Sequence, residues 1–424
     1  MSQKFSSVIT SLFRKPLLWL LPLTVIVFFI VVSFWSGFFV RPNAVIFPRQ
    51  DRVIANASDW VQALSTTWDS TLYSMIAARG YYPEKPSLFA FFPLFPLEAR
   101  AIATVFFDGY IPLGIVAAGF LNFFLFCLVL WFFLAQYTKK FHLKISTSSL
   151  VVTAVFLPFA FFWIVPYTES LFLFLLMSWF AVLFFSTKKW QLFFLPLLAF
   201  ALALTRPNGI SLAVVIVFFL WKEYWGFTPV PDFSKIRQQW KRFTAVVASL
   251  TVNVLGLLAF MSYGYGKTGD FFISTHVQAE WGRGASTWRI WQPIVEVFRA
   301  LADQWDEWTQ GCIACSYWIA YDTYLIIGIA LFFLAIIVTL VYFRRGTLQQ
   351  SLLVFSVVTF VLPLTSQSYQ SLDRFAVALP IVFVFIPLWL HKKLSPAAVG
   401  LVQAVLVMIW TTCVILYSGH YWLG

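Results

Sequence analysis

Long apolar runs, each closed by a short polar stretch, alternate along nearly the whole chain. A helix that crosses a bilayer needs about 20 mainly apolar residues, fewer where neighbours shield its ends. Eleven segments meet that requirement: 17–40, 110–136, 150–165, 170–186, 191–205, 210–221, 244–263, 323–343, 350–365, 375–390 and 397–418. Two long segments, 41–109 and 264–322, interrupt the series, as do three short turns at 166–170, 206–209 and 366–374. There is no internal repeat and no low-complexity linker. The pattern predicts one all-α polytopic membrane domain over 1–424.

The charges orient it. With the N-terminus in the cytosol and each helix crossing once, the cytosolic loops carry Lys4, Arg14 and Lys15; Lys139, Lys140 and Lys144; Lys188 and Lys189; Lys222, Lys235, Arg237, Lys241 and Arg242; Arg344 and Arg345; Lys392 and Lys393. Glu223 and Asp232 are the acidic residues on that side. Every such loop is net positive, as the positive-inside rule requires, and a wrong helix count would invert the pattern downstream. The formal charge of +12 is therefore a topology signal, and no nucleic-acid partner is expected. Composition agrees: 61% of residues are hydrophobic and 11% charged, against roughly a quarter charged in soluble domains. Lys4, Arg14 and Lys15 precede a run long enough to span, without a small-residue cleavage site, which reads as a retained helix rather than a signal peptide. Four Cys make neither a disulfide framework nor a zinc cluster. Cys127 and Cys413 lie in apolar runs and read as packing residues. Cys312 and Cys315 lie in a polar loop, where a local disulfide and free thiols both fit.

Chemistry is concentrated on the non-cytosolic side. Residues 58–79 read as a helix begun by Ser58 or Asp59 and stopped by Gly80 in the left-handed region. Trp60, Val61, Leu64, Trp68 and Met75 share one apolar arc, which places the helix in the membrane interface. Asp69 falls on another face with Gln62, Thr66 and Tyr73. Its carboxylate is thus held at the lipid surface and aimed away from lipid, although a solvated Asp on an amphipathic helix fits the same spacing. Phe89 to Pro96 follows, with Pro93 and Pro96 three apart, a spacing that opposes a regular helix. Irregular backbone at membrane depth must be buried in protein or line a cavity.

Each short turn places charge where helices meet the interface: Glu169, Arg206, and Asp373 with Arg374. Charges there are costly and are functional candidates by default. Cations and carboxylates on one face suit a site that binds anionic phosphate and carries a base, because the planar Arg fork donates two parallel hydrogen bonds. The segment 264–322 adds Asp270, His276, Gln278, Trp281 and Arg283, and His276 reads as a lone loop histidine. No Walker loop, GxGxxG or HExxH is present, and no compact carboxylate cluster marks a metal site. No cofactor is implied, and metal dependence stays open.

Several short stretches in order carry a resemblance. Trp68-Asp69 with Tyr73, then 76–81 and 90–96, Tyr167 to Phe172, Thr205 to Gly209, Gln278 to Arg283, and Asp373-Arg374-Phe375 before Pro380 resemble the second GPI mannosyltransferase (PIG-V-type) family and its prokaryotic relatives. The matches run across about 70–380. Pro207 stands where a small polar residue is usual, and Phe375 where Tyr is common. The resemblance implies a GT-C glycosyltransferase that moves a mannosyl residue, with inversion, from a polyprenyl (dolichyl-type) phosphate to a glycan or glycolipid acceptor on the non-cytosolic side. It maps the base to Asp69. Arg374 and Arg206 are then expected as phosphate ligands. Glu169, Gln278, Trp68, Tyr73, Asn208, Trp281 and Arg283 are expected as substrate contacts.

Two other readings stay open: a transporter or lipid-carrier flippase, and a GT-C enzyme with another sugar or a protein acceptor. Compact loops fit a prokaryotic cell membrane better than an endoplasmic one, although Asn56-Ala-Ser58 is a glycosylation sequon.

Overall fold

A computed structural model describes residues 16–39, 56–186, 188–281, 283, 289–312, 315–343, 346–365, 369 and 371–419, the side chains of Trp281, Asp373 and Val377 excepted. Lys4, Arg14, Lys15, Arg344 and Arg345 lie outside the described residues, as does most of 41–56. Among the described residues the chain is helical, with no strand. The helices that matter here are α1 (Pro16–Phe39), α2 (Ala57–Ser65), α3 (Asp69–Arg79), α4 (Leu94–Phe106), α5 (Ile111–Lys140), α6 (Thr147–Val155), α7 (Glu169–Phe185) and α8 (Phe194–Ala203). They continue as α9 (Ser211–Leu220), α10 (Trp240–Thr268), α11 (Gln292–Thr309), α12 (Cys315–Tyr342), α13 (Thr347–Leu364), α14 (Leu372–Val377), α15 (Ile386–Lys393) and α16 (Pro396–Ser418).

Six of these, α1, α5, α10, α12, α13 and α16, are long and apolar enough to cross a membrane, with mean hydropathy from 1.7 to 2.9. They present Val27, Leu255, Ile337, Val341, Leu401 and Met408 outward. Apolar surface on that scale is costly against water and at home against lipid. The protein is a multi-pass membrane protein.

The other five expected spans are shorter than these six or are interrupted. Segment 150–165 divides into α6 and a 3-10 turn, Ala160–Trp163, because Pro158 cannot continue the helix and disfavours helical backbone before it. Segment 170–186 is the 17-residue α7. Segment 191–205 is a 3-10 turn, Lys189–Phe193, running into α8, and 210–221 is α9 ending in a π turn, Trp221–Trp225. Segment 375–390 breaks into α14, a π turn Ile381–Phe385 and α15, around Pro380 and Pro387. The irregular backbone at 156–168 and 378–385 is buried, as polar backbone in a lipid-facing protein must be.

The expected 58–79 helix is two helices. Asn56, rather than Ser58 or Asp59, caps α2: its Oδ1 accepts from the Asp59 N–H at 3.0 Å. The chain then breaks at Thr66–Trp68. Thr66 Oγ1 donates to the Gln62 carbonyl at 2.5 Å and Thr67 Oγ1 to the Ala63 carbonyl at 2.7 Å. These hydroxyls occupy carbonyls that a continuing helix would have used. Trp68 takes φ +50°, a region that costs a bulky residue free energy. Trp60, Val61 and Leu64 pack into the protein core, rather than onto lipid. Gly80 ends α3 at φ +75°, with its N–H on the Ile76 carbonyl at 2.8 Å, as the sequence predicts. The two prolines after Phe89 do not prevent a helix. Pro93 is the N-cap of α4 and Pro96 lies in its first turn, where an amide hydrogen has no intrahelical partner to lose.

α7 sets the axis of the site. Glu169 is at one end of it. At the other end Phe185 lies under the Lys140 ammonium at 5.7 Å, and the Leu183 carbonyl accepts from Arg242 at 3.1 Å. With a rise of about 1.5 Å per residue, those ends are roughly 25 Å apart. Lys140 and Arg242 therefore lie at the end of the bundle opposite Glu169.

Candidate functional site

Four charged side chains from four parts of the chain meet at the Glu169 end. Arg374 Nη1 donates to Asp69 Oδ2 at 2.7 Å, and Arg374 Nε donates to Glu169 Oε1. Arg206 Nη1 reaches the same Glu169 oxygen at 2.5 Å. The order is Asp69–Arg374–Glu169–Arg206, with alternating sign. Side-chain exposure grades along it: Glu169 0%, Arg374 6%, Arg206 11%, Asp69 20%. Glu169 is thus enclosed between two guanidinium groups, and Asp69 is the carboxylate that faces outward.

Local structure explains each position. The break at 66–68 makes Asp69 the first residue of α3, where a carboxylate is favoured by the helix dipole. Ser70 Oγ donates to the Pro166 carbonyl at 3.3 Å, and the Tyr73 hydroxyl pairs with Thr168 Oγ1 at 3.2 Å. These two bonds register α3 against the turn that delivers Glu169. That turn lies hard against α5: a Cβ on Gly119 would come within 2.9 Å of Pro166 Cα, so only glycine allows the approach. Thr205 Oγ1 donates to the Ala201 carbonyl at 2.9 Å as α8 ends. Pro207 then holds Arg206 extended, at φ −154° and ψ 154°, as proline does to its predecessor. Ser371 at φ +66° turns the chain into α14, placing Arg374 one turn later.

Aromatic faces complete the shell. The Arg374 guanidinium is 4.6 Å from the Tyr167 ring centroid and 5.6 Å from that of Phe162, and Arg206 is 5.4 Å from Phe375. Desolvated cation–π contacts of this kind contribute up to about 2 kcal/mol each. Tyr73 stands edge-on to Phe91 and Phe95. Burial, with the Asp69 and Glu169 charges adding to it, pushes its phenol well above the usual range, so it serves as a neutral hydroxyl.

Gln278 and Arg283 are joined: Arg283 Nη1 donates to Gln278 Oε1 at 3.2 Å. Arg283 is in electrostatic reach of Asp69, Arg374 and Arg206. Trp68 is half-buried beside Asp69. Asn208 lies half-buried in the 3-10 turn Pro207–Ile210 and makes no hydrogen bond to the four charges. The Trp281 and Asp373 side chains lie outside the described residues. Asp270 and His276 pair with each other at 2.6 Å on exposed surface, and the hydrogen bond from His276 holds the Asp270 carboxyl below its usual range.

Several residues escaped sequence reasoning. Phe162 lies under Arg374, and its signal was its place just ahead of the Tyr167–Glu169 turn. Glu98 on α4 accepts from Asn122 Nδ2 at 2.7 Å, and burial pushes its carboxyl up to about 7 against that hydrogen bond. Cys312 and Cys315 form a disulfide. With Glu307 they make the one grouping of three metal-type ligands among the described residues, and both sulfurs are bonded to each other. A surface cavity of about 350 Å³ bordered by Lys222, Glu223 and Lys235 lies beyond the far end of α9 from Arg206.

No protein-family model matches the chain, and no curated protein matches it. Among solved structures it is similar to the oligosaccharyltransferase AglB of the archaeon Archaeoglobus fulgidus. The form with Zn and sulfate gives a TM-score of 0.46 at 13% identity, covering 94% of this chain and 53% of that one. The form tethered to an acceptor peptide gives 0.47 at 12%, covering 97% and 56%. The complex with an inhibitory peptide and a dolichol-phosphate gives 0.44 at 12%, covering 95% and 56%. The chain spans about half the length of that protein, and the likeness is remote.

Proposed function

We propose that the protein is a GT-C-type inverting glycosyltransferase. It moves a mannosyl residue from a polyprenyl-phosphate carrier to a glycan or glycolipid acceptor on the non-cytosolic side of a prokaryotic cell membrane. The observation that carries this reading is the Asp69–Arg374–Glu169–Arg206 chain: a partly exposed carboxylate next to buried guanidinium groups, at the end of the bundle opposite Lys140 and Arg242. The sequence resemblance supplies the sugar and the carrier.

The chemistry follows from the charges. The acceptor oxygen bonds to the anomeric carbon from the face opposite the phosphate, so one displacement inverts the centre. The bond from that carbon to the phosphate oxygen breaks, and its electron pair leaves on the phosphate. The acceptor proton goes to Asp69, whose Oδ1 is not used by Arg374. General-base catalysis of this kind contributes about 10²–10⁴-fold. The departing phosphate gains one negative charge as Asp69 loses one, so the site's net charge with its substrates is constant through the step. Preorganised guanidinium groups favour the state in which that charge has moved to phosphate. Glu169, shut away from solvent, orients Arg374 and Arg206 rather than reacting. Trp68, Tyr73, Asn208, Gln278, Trp281 and Arg283 border the substrates, with the α2–α3 pair along the membrane surface.

Charges tied into one network at one end of the bundle fit interface chemistry better than alternating access, which places its site at midplane. The test is incubation of the purified protein in lipid with polyprenyl-phosphate [³H]mannose and a panel of glycolipid acceptors. Label should move to an acceptor with an inverted anomeric linkage. Movement of intact donor across the vesicle without transfer would instead establish a flippase.

A further inference from the structure

The chain of four charges is neutral: Asp69 and Glu169 balance Arg374 and Arg206. Arg283 stands outside it. Its side chain donates to an uncharged amide oxygen, Gln278 Oε1 at 3.2 Å, and its backbone N–H to the Gln278 carbonyl at 3.1 Å. It joins none of the ion pairs among the described residues. Residues 282–288 contain no acid, and Glu280, the nearest in sequence, is exposed. Yet Arg283 is close enough to Asp69, Arg374 and Arg206 to respond to each. Burial holds its guanidinium below the usual range, Arg374 and Arg206 add to that, and Asp69 opposes it. Among the described side chains, three guanidinium groups against two carboxylates leave one positive charge, and that charge belongs to Arg283, which has no carboxylate partner among them.

We propose that Arg283 is the principal ligand for the phosphate of the lipid-linked substrate, parked on Gln278 while the site is empty. This rests on the reading of the site as one for a polyprenyl phosphate. A phosphate that approached Arg374 or Arg206 would share them with Glu169, a buried anion that water does not screen, and like charges repel strongly there. Moving Arg283 from an amide oxygen to phosphate instead exchanges a neutral acceptor for a charged one, and charge-assisted hydrogen bonds are roughly twice as strong. Arg374 and Arg206 then supply a fixed field, and Arg283 supplies the contact made on binding. Gln278 and Arg283 lie in the second large non-cytosolic segment, far in sequence from the four elements that carry Asp69, Glu169, Arg206 and Arg374, so binding joins that segment to the site.

The test uses the full chain in detergent, with farnesyl phosphate as probe and farnesol as its uncharged control, and thermal melting to confirm folding. Wild type should bind farnesyl phosphate at least tenfold more tightly than farnesol. Arg283→Gln should lose that preference while binding farnesol unchanged, and Arg283→Lys should keep most of it. Gln278→Glu is the decisive variant: it gives Arg283 the carboxylate it lacks, and should weaken farnesyl phosphate binding tenfold or more. Gln278→Ala should leave binding equal or slightly tighter. If the Gln278–Arg283 bond were merely structural, Gln278→Ala would do the damage and Gln278→Glu would be tolerated, and that result overturns the proposal. So does an Arg283→Gln protein that melts like wild type and keeps its preference for the phosphate, or a wild type with no such preference. Sugar transfer is read separately. Arg283-dependent phosphate binding without transfer removes the glycosyltransferase reading and leaves the ligand assignment standing.

Discussion

Arg374 and Glu169, 205 residues apart in the chain, form an ion pair with the Glu169 side chain wholly enclosed and that of Arg374 6% exposed. Glu169 also holds Arg206, so one carboxylate bridges two guanidinium groups inside a membrane protein.

Removing that carboxylate takes from Arg206 its ion pair and leaves Arg374 with Asp69 alone. Glu169→Gln should therefore destabilise the fold by about 3–5 kcal/mol, the usual cost of an orphaned buried charge. Asp69→Asn, at the more exposed end of the same network, should cost much less. Unfolding by titrated denaturant in mixed micelles measures both, and equal losses would contradict the enclosed role of Glu169.

Stability should also depend on Glu98. Its carboxyl is raised from 4.5 to about 7 by burial, so the folded state holds a proton that the unfolded state releases. The stabilisation is complete below about pH 4.5 and is lost as pH rises toward 7, since the unfolded chain binds fewer protons over that window. Melting temperature should fall across it, and Glu98→Gln should flatten that part of the profile. An unchanged slope in the variant would contradict the assignment.

The disulfide offers a test of sidedness. Cys312 and Cys315 are bonded, and Cys127 and Cys413 are free and buried. Denatured protein kept unreduced should take up two maleimides, and reduced protein four. A disulfide persists where the compartment is oxidising, in keeping with a non-cytosolic place for 264–322. The loop it closes is short, so replacing both cysteines with Ser should cost only about 2 kcal/mol. Four reactive thiols before reduction would contradict the bond.

The site was legible as a set of charges and illegible as a set of partners. Asp69, Glu169, Arg206 and Arg374 stand out in an apolar chain because charge at a membrane edge is costly, and the alternating basic loops assign them to one face. Which arginine pairs with which carboxylate depends on contacts between residues 37 to 305 positions apart, and no local pattern encodes those. Helical periodicity also runs unbroken through 66–68, while the structure breaks there because Thr66 and Thr67 cap α2 from within. Pro93 and Pro96 read as breakers on the same local logic, yet a first helical turn accepts proline. Segments 150–165 and 375–390 read as unbroken helices because apolar composition fits burial in lipid or in protein equally well, and the interruptions at 156–168 and 378–385 are buried in protein.

The most direct test is the initial rate of mannosyl transfer from a polyprenyl-phosphate mannose by wild-type and Asp69→Asn proteins in lipid, with melting temperatures matched. The account predicts measurable transfer by wild type and a loss of about 10²–10⁴-fold in the variant, with farnesyl phosphate still bound. An Asp69→Asn protein that folds and turns over at the wild-type rate would contradict it.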